Sequence, residues 1–196
     1  MYTSIVVRSC TKEDLHTLCS INMACFSEEE AFTLEEFQYI FEQQMSKRKA
    51  LSNGPMIRVA EISIDGEAPV IAGYIYFNKT TIAEGTIRHL DMEICSIAVE
   101  PIYRRYGVGR RLIETVFAIG DFFESSTNRY SVFADIPEHL LPAQLFFKQM
   151  GFLCTSIEYP SEQAKERDTP TLYVFELESK LQPISSGGKP NARKDR

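Results

Sequence analysis

The stretch RRYGVGRRL, residues 104–112, is the part of the sequence best suited to bind an anion. Gly107 and Gly109 remove side chains where a ligand must approach the backbone, and the flanking arginines add positive charge. Apolar residues then recur at helical spacing, so the stretch lies at a helix N-terminus, where unpaired N–H groups attract phosphate. It matches neither a Walker A loop nor a dinucleotide-binding fingerprint. Pyrophosphate binding is one interpretation, and a chain turn or close helix–strand packing is the other.

The elements that must position this stretch follow from apolar periodicity and turn signals. Thr11 and Asp14 form a capping-box pattern ahead of a helix whose apolar series includes Met23. Asp65 and Gly66, between two β-rich runs, indicate a hairpin. The predicted order is strand, two helices, hairpin, long strand, helix, strand, short helix and two closing strands, within residues 4–14, 15–24, 34–45, 57–78, 86–99, 108–123, 129–136, 142–150, 152–159 and 171–178. Residues 160–170 are polar and are predicted to form a loop.

Two segments resemble the signatures of the GNAT superfamily of N-acyltransferases. EICSIAVEPIYRRYGVGRRLIE resembles its acyl-CoA-binding core, with the Arg-x-x-Gly-x-Gly pattern on Arg104, Gly107 and Gly109. AQLFFKQMGF, residues 143–152, resembles its second signature. The resemblance implies an α+β fold with αβα layers: a mixed, mostly antiparallel central sheet of about seven strands, flanked by helices and splayed between the fourth and fifth strands.

The resemblance also implies how an acyl-CoA is bound. Backbone N–H groups of residues 105–110 would hold the pyrophosphate, and the strand end at residues 97–99 would bind the pantetheine arm, with a bulge there opening a slot. One N–H group would stabilise the negative charge on the thioester oxygen. The implied cofactor-binding residues are Ile97, Ala98, Val99, Arg104, Arg105, Tyr106, Gly107, Val108, Gly109, Arg110 and Phe147.

Glu93 is the candidate catalytic base. Amide formation needs a neutral amine, and amines are largely protonated near neutral pH. Glu93 lies six residues before Val99, the spacing at which the resemblance to histone-lysine acetyltransferases implies a base glutamate. Strand alternation places Asp91, Glu93 and Cys95 on one face. The alternative is that Glu93 faces solvent or pairs with an arginine; Glu61 and Asp91 are lesser candidates.

Phe147 departs from the family pattern. Many members carry a tyrosine there whose hydroxyl protonates the departing CoA thiolate, and phenylalanine has no proton to give. A thiolate is already a tolerable leaving group at neutral pH, so we expect slower reaction rather than none. The residues that can substitute as the acid are Tyr103, Tyr106, Tyr130 and His139. Leu140 replaces an asparagine that is frequent in the family.

The composition of the chain indicates which classes of binding partner are expected. The chain has 27 acidic and 21 basic residues, which argues against nucleic-acid binding and favours a cationic partner. Five cysteines without CxxC spacing and three scattered histidines give no metal constellation, so no metal is expected.

The chain is predicted to be one domain over residues 1–180 with a disordered basic tail over residues 181–196. The apolar run Ile5–Val7 is too short for a secretory signal and no segment is long enough to cross a bilayer, so a cytoplasmic protein is expected, as a monomer or homodimer.

The leading function is transfer of acetyl from acetyl-CoA to a primary amine by direct attack in a ternary complex. The acceptor is a protein N-terminus or lysine, or alternatively a small polyamine-like amine, bound by the loops at residues 26–32 and 160–170. The different-class alternative is a catalytically silent acyl-CoA-binding regulatory domain, which Phe147 makes credible.

Overall fold

The computed structural model describes residues 3–46, 53–125, 128–159 and 171–178. These residues form seven strands and four α-helices: β1 Thr3–Ser9, α1 Leu15–Cys25, α2 Leu34–Ser46, β2 Gly54–Ile64, β3 Val70–Glu84, β4 Ile87–Val99, α3 Val108–Phe123, β5 Asn128–Pro137, α4 Leu141–Gln149, β6 Leu153–Glu158 and β7 Leu172–Glu178. Short 3-10 turns precede α1 and follow β4. The predicted loop at residues 160–170 and the predicted tail at residues 181–196 lie outside the described residues.

The strands form one sheet in the order β1-β2-β3-β4-β5-β7-β6, and β4–β5 is its parallel pair. This parallel ladder runs only from Arg88–Asn128 to Glu93–Phe133, although β4 continues to Val99 and β5 to Pro137. The two strands therefore separate after Glu93. The predicted splay between the fourth and fifth strands is confirmed.

Helices cover both faces of the sheet. One core lies under α3 and includes Met92, Ile113 and Phe147, while the other lies under α1 and α2 and includes Leu18 and Phe37. α3 contacts β1 to β5, and α4 contacts β7, whereas α1 and α2 contact strands β2 to β4. The predicted αβα layering is confirmed.

A β-bulge in β4 changes the direction of its side chains. Tyr76 pairs with Ser96 but Phe77 pairs with Ile94, so Cys95 is the extra residue. Before the bulge, Ile94 faces the α3 side; after it, Ala98 faces the α1–α2 side. The bulge lies just ahead of the predicted segment at residues 97–99, and it gives β4 two differently oriented halves.

The start of α1 confirms the predicted capping box. The Asp14 carboxylate accepts hydrogen bonds from the Thr11 N–H group at 2.7 Å and from the Arg8 guanidinium at 2.6 and 2.9 Å. The predicted apolar series is wrong at Met23, which is 67% exposed. Asn22 is buried instead and donates to the Tyr74 hydroxyl, because the helix turns this polar side chain toward the sheet.

We expect Asp14→Asn to lower the free energy of unfolding by about 2 kcal/mol at pH 7, because it removes the buried carboxylate of a partly buried ion pair with Arg8 and weakens a helix cap. Burial raises the pKa of Asp14, but hydrogen bonds from Arg8 and Thr11 outweigh it and hold that pKa below its ordinary value. The carboxylate's contribution is therefore complete above the unfolded pKa of about 3.9 and is lost as the pH falls through the lower folded value.

Urea unfolding of both proteins between pH 7 and pH 2.5 measures this difference. Glu114→Gln is the control, since it removes an exposed carboxylate paired with Arg111 at 3.1 Å and should cost under about 0.5 kcal/mol. A difference between wild type and Asp14→Asn that stays constant down to the lowest pH would show that the Asp14 charge is not what stabilises the protein.

Candidate active site

The loop between β4 and α3 has an unusual backbone. Arg105 and Gly107 both adopt left-handed conformations, with φ of 68° and 92°. A Cβ atom at Gly107 would meet nothing within 4 Å, so this glycine serves the backbone conformation and not close packing. Arg105 pays for the same conformation with about 1 kcal/mol of strain, a feature that clusters at ligand-binding sites. The loop thus has a strained backbone conformation that an unconstrained chain would not favour.

This shape leaves a row of backbone donors exposed. In the part of the chain that the structure describes, the N–H groups of residues 105–110 have no acceptor; the next one, of Arg111, bonds to the Gly107 carbonyl at 3.1 Å. Residues 108–110 form the first turn of α3, where the positive end of the helix dipole lies. The exposed side chains of Arg105 and Arg110 add charge. The backbone donors, the helix dipole and the arginine charges all favour an anion at this loop, and pyrophosphate binding there stays a prediction.

Gly109 allows close packing of the helix, which was the other interpretation of the glycines in this motif. A Cβ atom there would stand 3.3 Å from the Phe146 ring and 3.7 Å from Val99 Cγ2, so glycine lets the first turn of α3 pack closely against α4 and β4. The neighbouring Val108 is buried in the core with 1% of its surface exposed. The two glycines of the motif therefore have different roles: Gly107 permits the left-handed backbone conformation, and Gly109 permits close packing of α3.

Arg104 is directed at the end of β4. Its Nε donates to the Val99 carbonyl at 3.1 Å and its Nη2 lies 3.4 Å from Cys25 Sγ. The Cys25 thiol also donates to the Val99 carbonyl at 3.4 Å. Arg104 and Cys25 thus join the end of α1 to the strand end, and the predicted contact of Arg104 with a cofactor stays a prediction.

The strand end at Ile97, Ala98 and Val99 forms one wall of the slot between β4 and β5. Beyond Glu93 the edge of β4 that faces β5 has no strand partner among the residues that the structure describes. On its other side, Gly73 lies so close that a Cβ atom would stand 2.5 Å from the Ala98 carbonyl oxygen. This packing fixes the strand end from the β3 side.

Glu93 stands where the slot opens. It is half-buried on the face opposite Met92 and Ile94, as the alternation predicts. Within the described residues its carboxylate has no cationic partner. The lesser candidates are engaged: Glu61 accepts a hydrogen bond from Arg8 at 2.8 Å, and Asp91 lies 3.1 Å from His89.

A family model for the acetyltransferase (GNAT) family matches residues 15–152, which include the slot, the loop and α3. The chain belongs to the GNAT family. None of the curated proteins compared with the chain matches it.

Solved structures share the fold of this GNAT protein at low sequence identity. Arabidopsis thaliana NAA60 in complex with a bisubstrate analogue is 18% identical, with 90% of this chain and 99% of that one covered and a TM-score of 0.66. Arabidopsis thaliana Naa50 with the bisubstrate analogue CoA-Ac-MVNAL is 14% identical, with coverages of 89% and 98% and a TM-score of 0.60. The ribosomal-protein-S18-alanine N-acetyltransferase of Escherichia coli is 14% identical, with coverages of 93% and 98% and a TM-score of 0.57.

The slot of this GNAT protein holds a second carboxylate that sequence reasoning missed. Asp135 lies on β5 beyond the end of the parallel ladder, on the face opposite the buried Ala134 and Ile136. Burial, and then the nearby Glu158, raise the pKa of Asp135. The alternation within residues 129–136 was the available signal, but only the β4–β5 register shows that this face meets the Glu93 side of the slot.

Phe147 lies in the core rather than at the surface of the slot. It is 3% exposed, and its ring packs edge-on against Phe146 and Phe152 with centroids 5.5 and 5.0 Å away. Among the substitutes for an acid, Tyr130 donates to Asp121 at 2.8 Å, near the opposite end of the β4–β5 ladder from the slot. Its geometry therefore excludes Tyr130 as the acid.

The remaining acid candidates lie nearer the slot. Tyr103 packs against the core, and Tyr106 is 40% exposed in the donor loop, as we call residues 105–110 with their unpaired N–H groups. His139 pairs with Glu30 at 3.4 Å, which links the β5–α4 connection to the α1–α2 connection.

Among the described residues no group of His, Cys, Asp and Glu is arranged to hold a metal ion, and no helix has the length and apolarity to cross a membrane.

Proposed function

We propose that this GNAT protein transfers an acetyl group from acetyl-CoA to a primary amine. The observation that carries the proposal is the row of unpaired N–H groups at residues 105–110, which follows directly on the end of β4 that separates from β5 after Glu93. A solved relative with the same fold, Arabidopsis thaliana NAA60, has been observed in complex with acetyl-CoA. The donor loop has the charge and shape that a pyrophosphate needs.

The residues divide the reaction among them. The donor loop holds the pyrophosphate, and the free edge at residues 97–99 aligns the pantetheine arm. A backbone N–H group at this edge stabilises the negative charge that develops on the thioester oxygen. Glu93 takes one proton from the ammonium group, and the neutral nitrogen then attacks the carbonyl carbon; as the C–S bond breaks, the nitrogen loses its second proton to the departing thiolate or to water. Acetyl-CoA supplies the acyl group and the leaving group.

Direct attack is favoured over an acyl-enzyme intermediate. Cys95 is the thiol nearest Glu93 on β4, and burial, followed by the charge of Glu93, raises its pKa to about 11. A thiol with such a pKa is protonated at neutral pH and is a poor nucleophile. We therefore infer a ternary complex in which amine and thioester meet in the slot.

The acceptor we favour is a protein N-terminus. NAA60 and Naa50 share the fold over most of their length, and both are observed with bisubstrate analogues, in Naa50 with the peptide conjugate CoA-Ac-MVNAL. A small polyamine-like amine is the second candidate, because the carboxylates of Glu93, Asp135 and Glu158 give the slot negative charge that would attract a cation.

An acceptor panel tests the proposed function. CoA release is measured with peptides bearing a free N-terminus, the same peptides blocked at the N-terminus but containing lysine, and spermidine, alongside calorimetric titration with acetyl-CoA. We expect acetyl-CoA binding and turnover of the unblocked peptides. Binding without turnover of any amine would favour a silent acyl-CoA-binding domain, and no binding at all would overturn the proposal.

A further inference from the structure

An aromatic pair stands beside the slot on the side of α1 and α2. Tyr76 of β3 and Phe32, which lies just before α2, have ring centroids 6.0 Å apart in an edge-on arrangement. Cys19 Sγ lies 3.9 Å from the Phe32 carbonyl oxygen, which ties this residue to α1. The pair therefore connects the α1–α2 connection to the centre of the sheet, next to the bulge at Cys95.

The register brings Tyr76 close to Glu93. Asn78 is directly opposite Glu93 across the β3–β4 pair, and Tyr76 is two residues away from Asn78 along the same face. Besides burial, the charges of Cys95 and Glu93 raise the pKa of Tyr76, so the Tyr76 hydroxyl and the Glu93 carboxylate lie within electrostatic range of one another. Cys95 lies between them, since its thiol interacts with both the Tyr76 hydroxyl and the Glu93 charge.

The Tyr76 hydroxyl has bonding capacity to spare. It donates to Asn78 Oδ1 at 3.5 Å, the upper limit for such a bond, and also interacts with the Cys95 thiol, while Asn78 Nδ2 donates to Cys95 Sγ at 3.3 Å. A tyrosine oxygen has two lone pairs and one proton. Burial, and then Cys95, raise the pKa of Tyr76 to about 12, so the hydroxyl stays neutral during any ordinary assay.

We propose that Tyr76 binds the acceptor: its hydroxyl oxygen accepts a hydrogen bond from the attacking amine, on the opposite side from the Glu93 carboxylate. Two acceptor atoms then orient the amine so that its lone pair points along the slot toward the thioester, while the Phe32 and Tyr76 rings cover the first carbon atoms behind it. This inference rests on the proposed function and assigns it a specificity-determining residue.

Tyr76→Phe tests the proposal, with Tyr39→Phe as the matched control because Tyr39 is 64% exposed on α2. We expect Tyr76→Phe to raise the KM for the amine about 10-fold and to leave the acetyl-CoA Kd within about twofold. The control should change neither quantity. An unchanged KM for the amine overturns the proposal. If KM is unchanged while kcat falls and the pH profile of kcat loses its decline at high pH, Tyr76 is instead the acid that protonates the thiolate.

A second measurement separates this inference from the proposed function. Wild type and Tyr76→Phe are titrated with acetyl-CoA and with a CoA-acetyl-peptide conjugate of the kind bound to Naa50. The proposal expects the conjugate, and not acetyl-CoA, to lose about 10-fold in affinity in the variant. Equal affinities of both proteins for the conjugate overturn the role of Tyr76, even where wild type turns over an amine. Loss of conjugate affinity without turnover by wild type supports Tyr76 and contradicts the proposed function.

Discussion

We expect Glu93→Gln to lower turnover at pH 7 by about 100-fold or more and to leave the affinity for acetyl-CoA nearly unchanged. Glutamine fills the same space but accepts no proton, so the reaction then depends on amine that is already neutral. Glu93 lies at the opening of the slot and not in the donor loop, so cofactor binding does not require its charge. Steady-state kinetics and calorimetry measure the two quantities separately.

The pH dependence of Glu93→Gln also identifies the acceptor. The neutral fraction of an amine rises about tenfold per pH unit until its pKa is reached, near 8 for an α-amino group and near 10.4 for lysine. The variant's rate should therefore level off near pH 8 with a protein N-terminus and keep rising beyond pH 10 with an alkyl amine. Asp91→Asn, which removes a carboxylate from the same face of β4, is the control. An equal loss for Glu93→Gln at every pH would assign Glu93 a structural role.

Local sequence signals predicted much of the fold. Thr11 and Asp14 start α1 as predicted, and Asp65 and Gly66 form the predicted turn with φ of 51° and 83°, because few other residue pairs adopt two left-handed conformations in succession. These features depend on neighbours in the chain. The splay, in contrast, was predicted only through the family resemblance, since no local pattern in β4 or β5 indicates where their ladder ends.

Features that depend on strand register were not predicted from the sequence. The bulge at Cys95 moves Ser96 to the face that Glu93 shares, which strict alternation along β4 does not predict. Asp135 and Tyr76 belong to other strands, so their proximity to Glu93 follows from pairing and not from spacing. The contact of the Arg104 guanidinium with the Val99 carbonyl also depends on the fold, and the predicted role of Arg104 in cofactor binding stays a prediction.

The second large effect is expected in the donor loop, where Gly109→Asp should weaken acetyl-CoA binding by about 100-fold. Position 109 is the second residue of α3, where an aspartate is favourable for the helix itself. Its carboxylate would occupy the neighbourhood of the unpaired N–H groups of residues 105–110 and would repel a pyrophosphate. Because the new Cβ atom would stand 3.3 Å from the Phe146 ring, the variant should lose some stability as well as cofactor affinity, and circular dichroism checks that it is still folded.

Gly109→Ala separates charge from bulk. Its methyl group would stand 3.3 Å from the Phe146 ring, which is half-buried and has only to shift by a few tenths of an ångström, so we expect a loss of about threefold. Calorimetry at two salt concentrations completes the test, because repulsion between the new carboxylate and the pyrophosphate is screened as salt is raised. Equal losses for alanine and aspartate, independent of salt, would show that Gly109 serves only the packing of α3 against α4 and would remove the anion site from the donor loop.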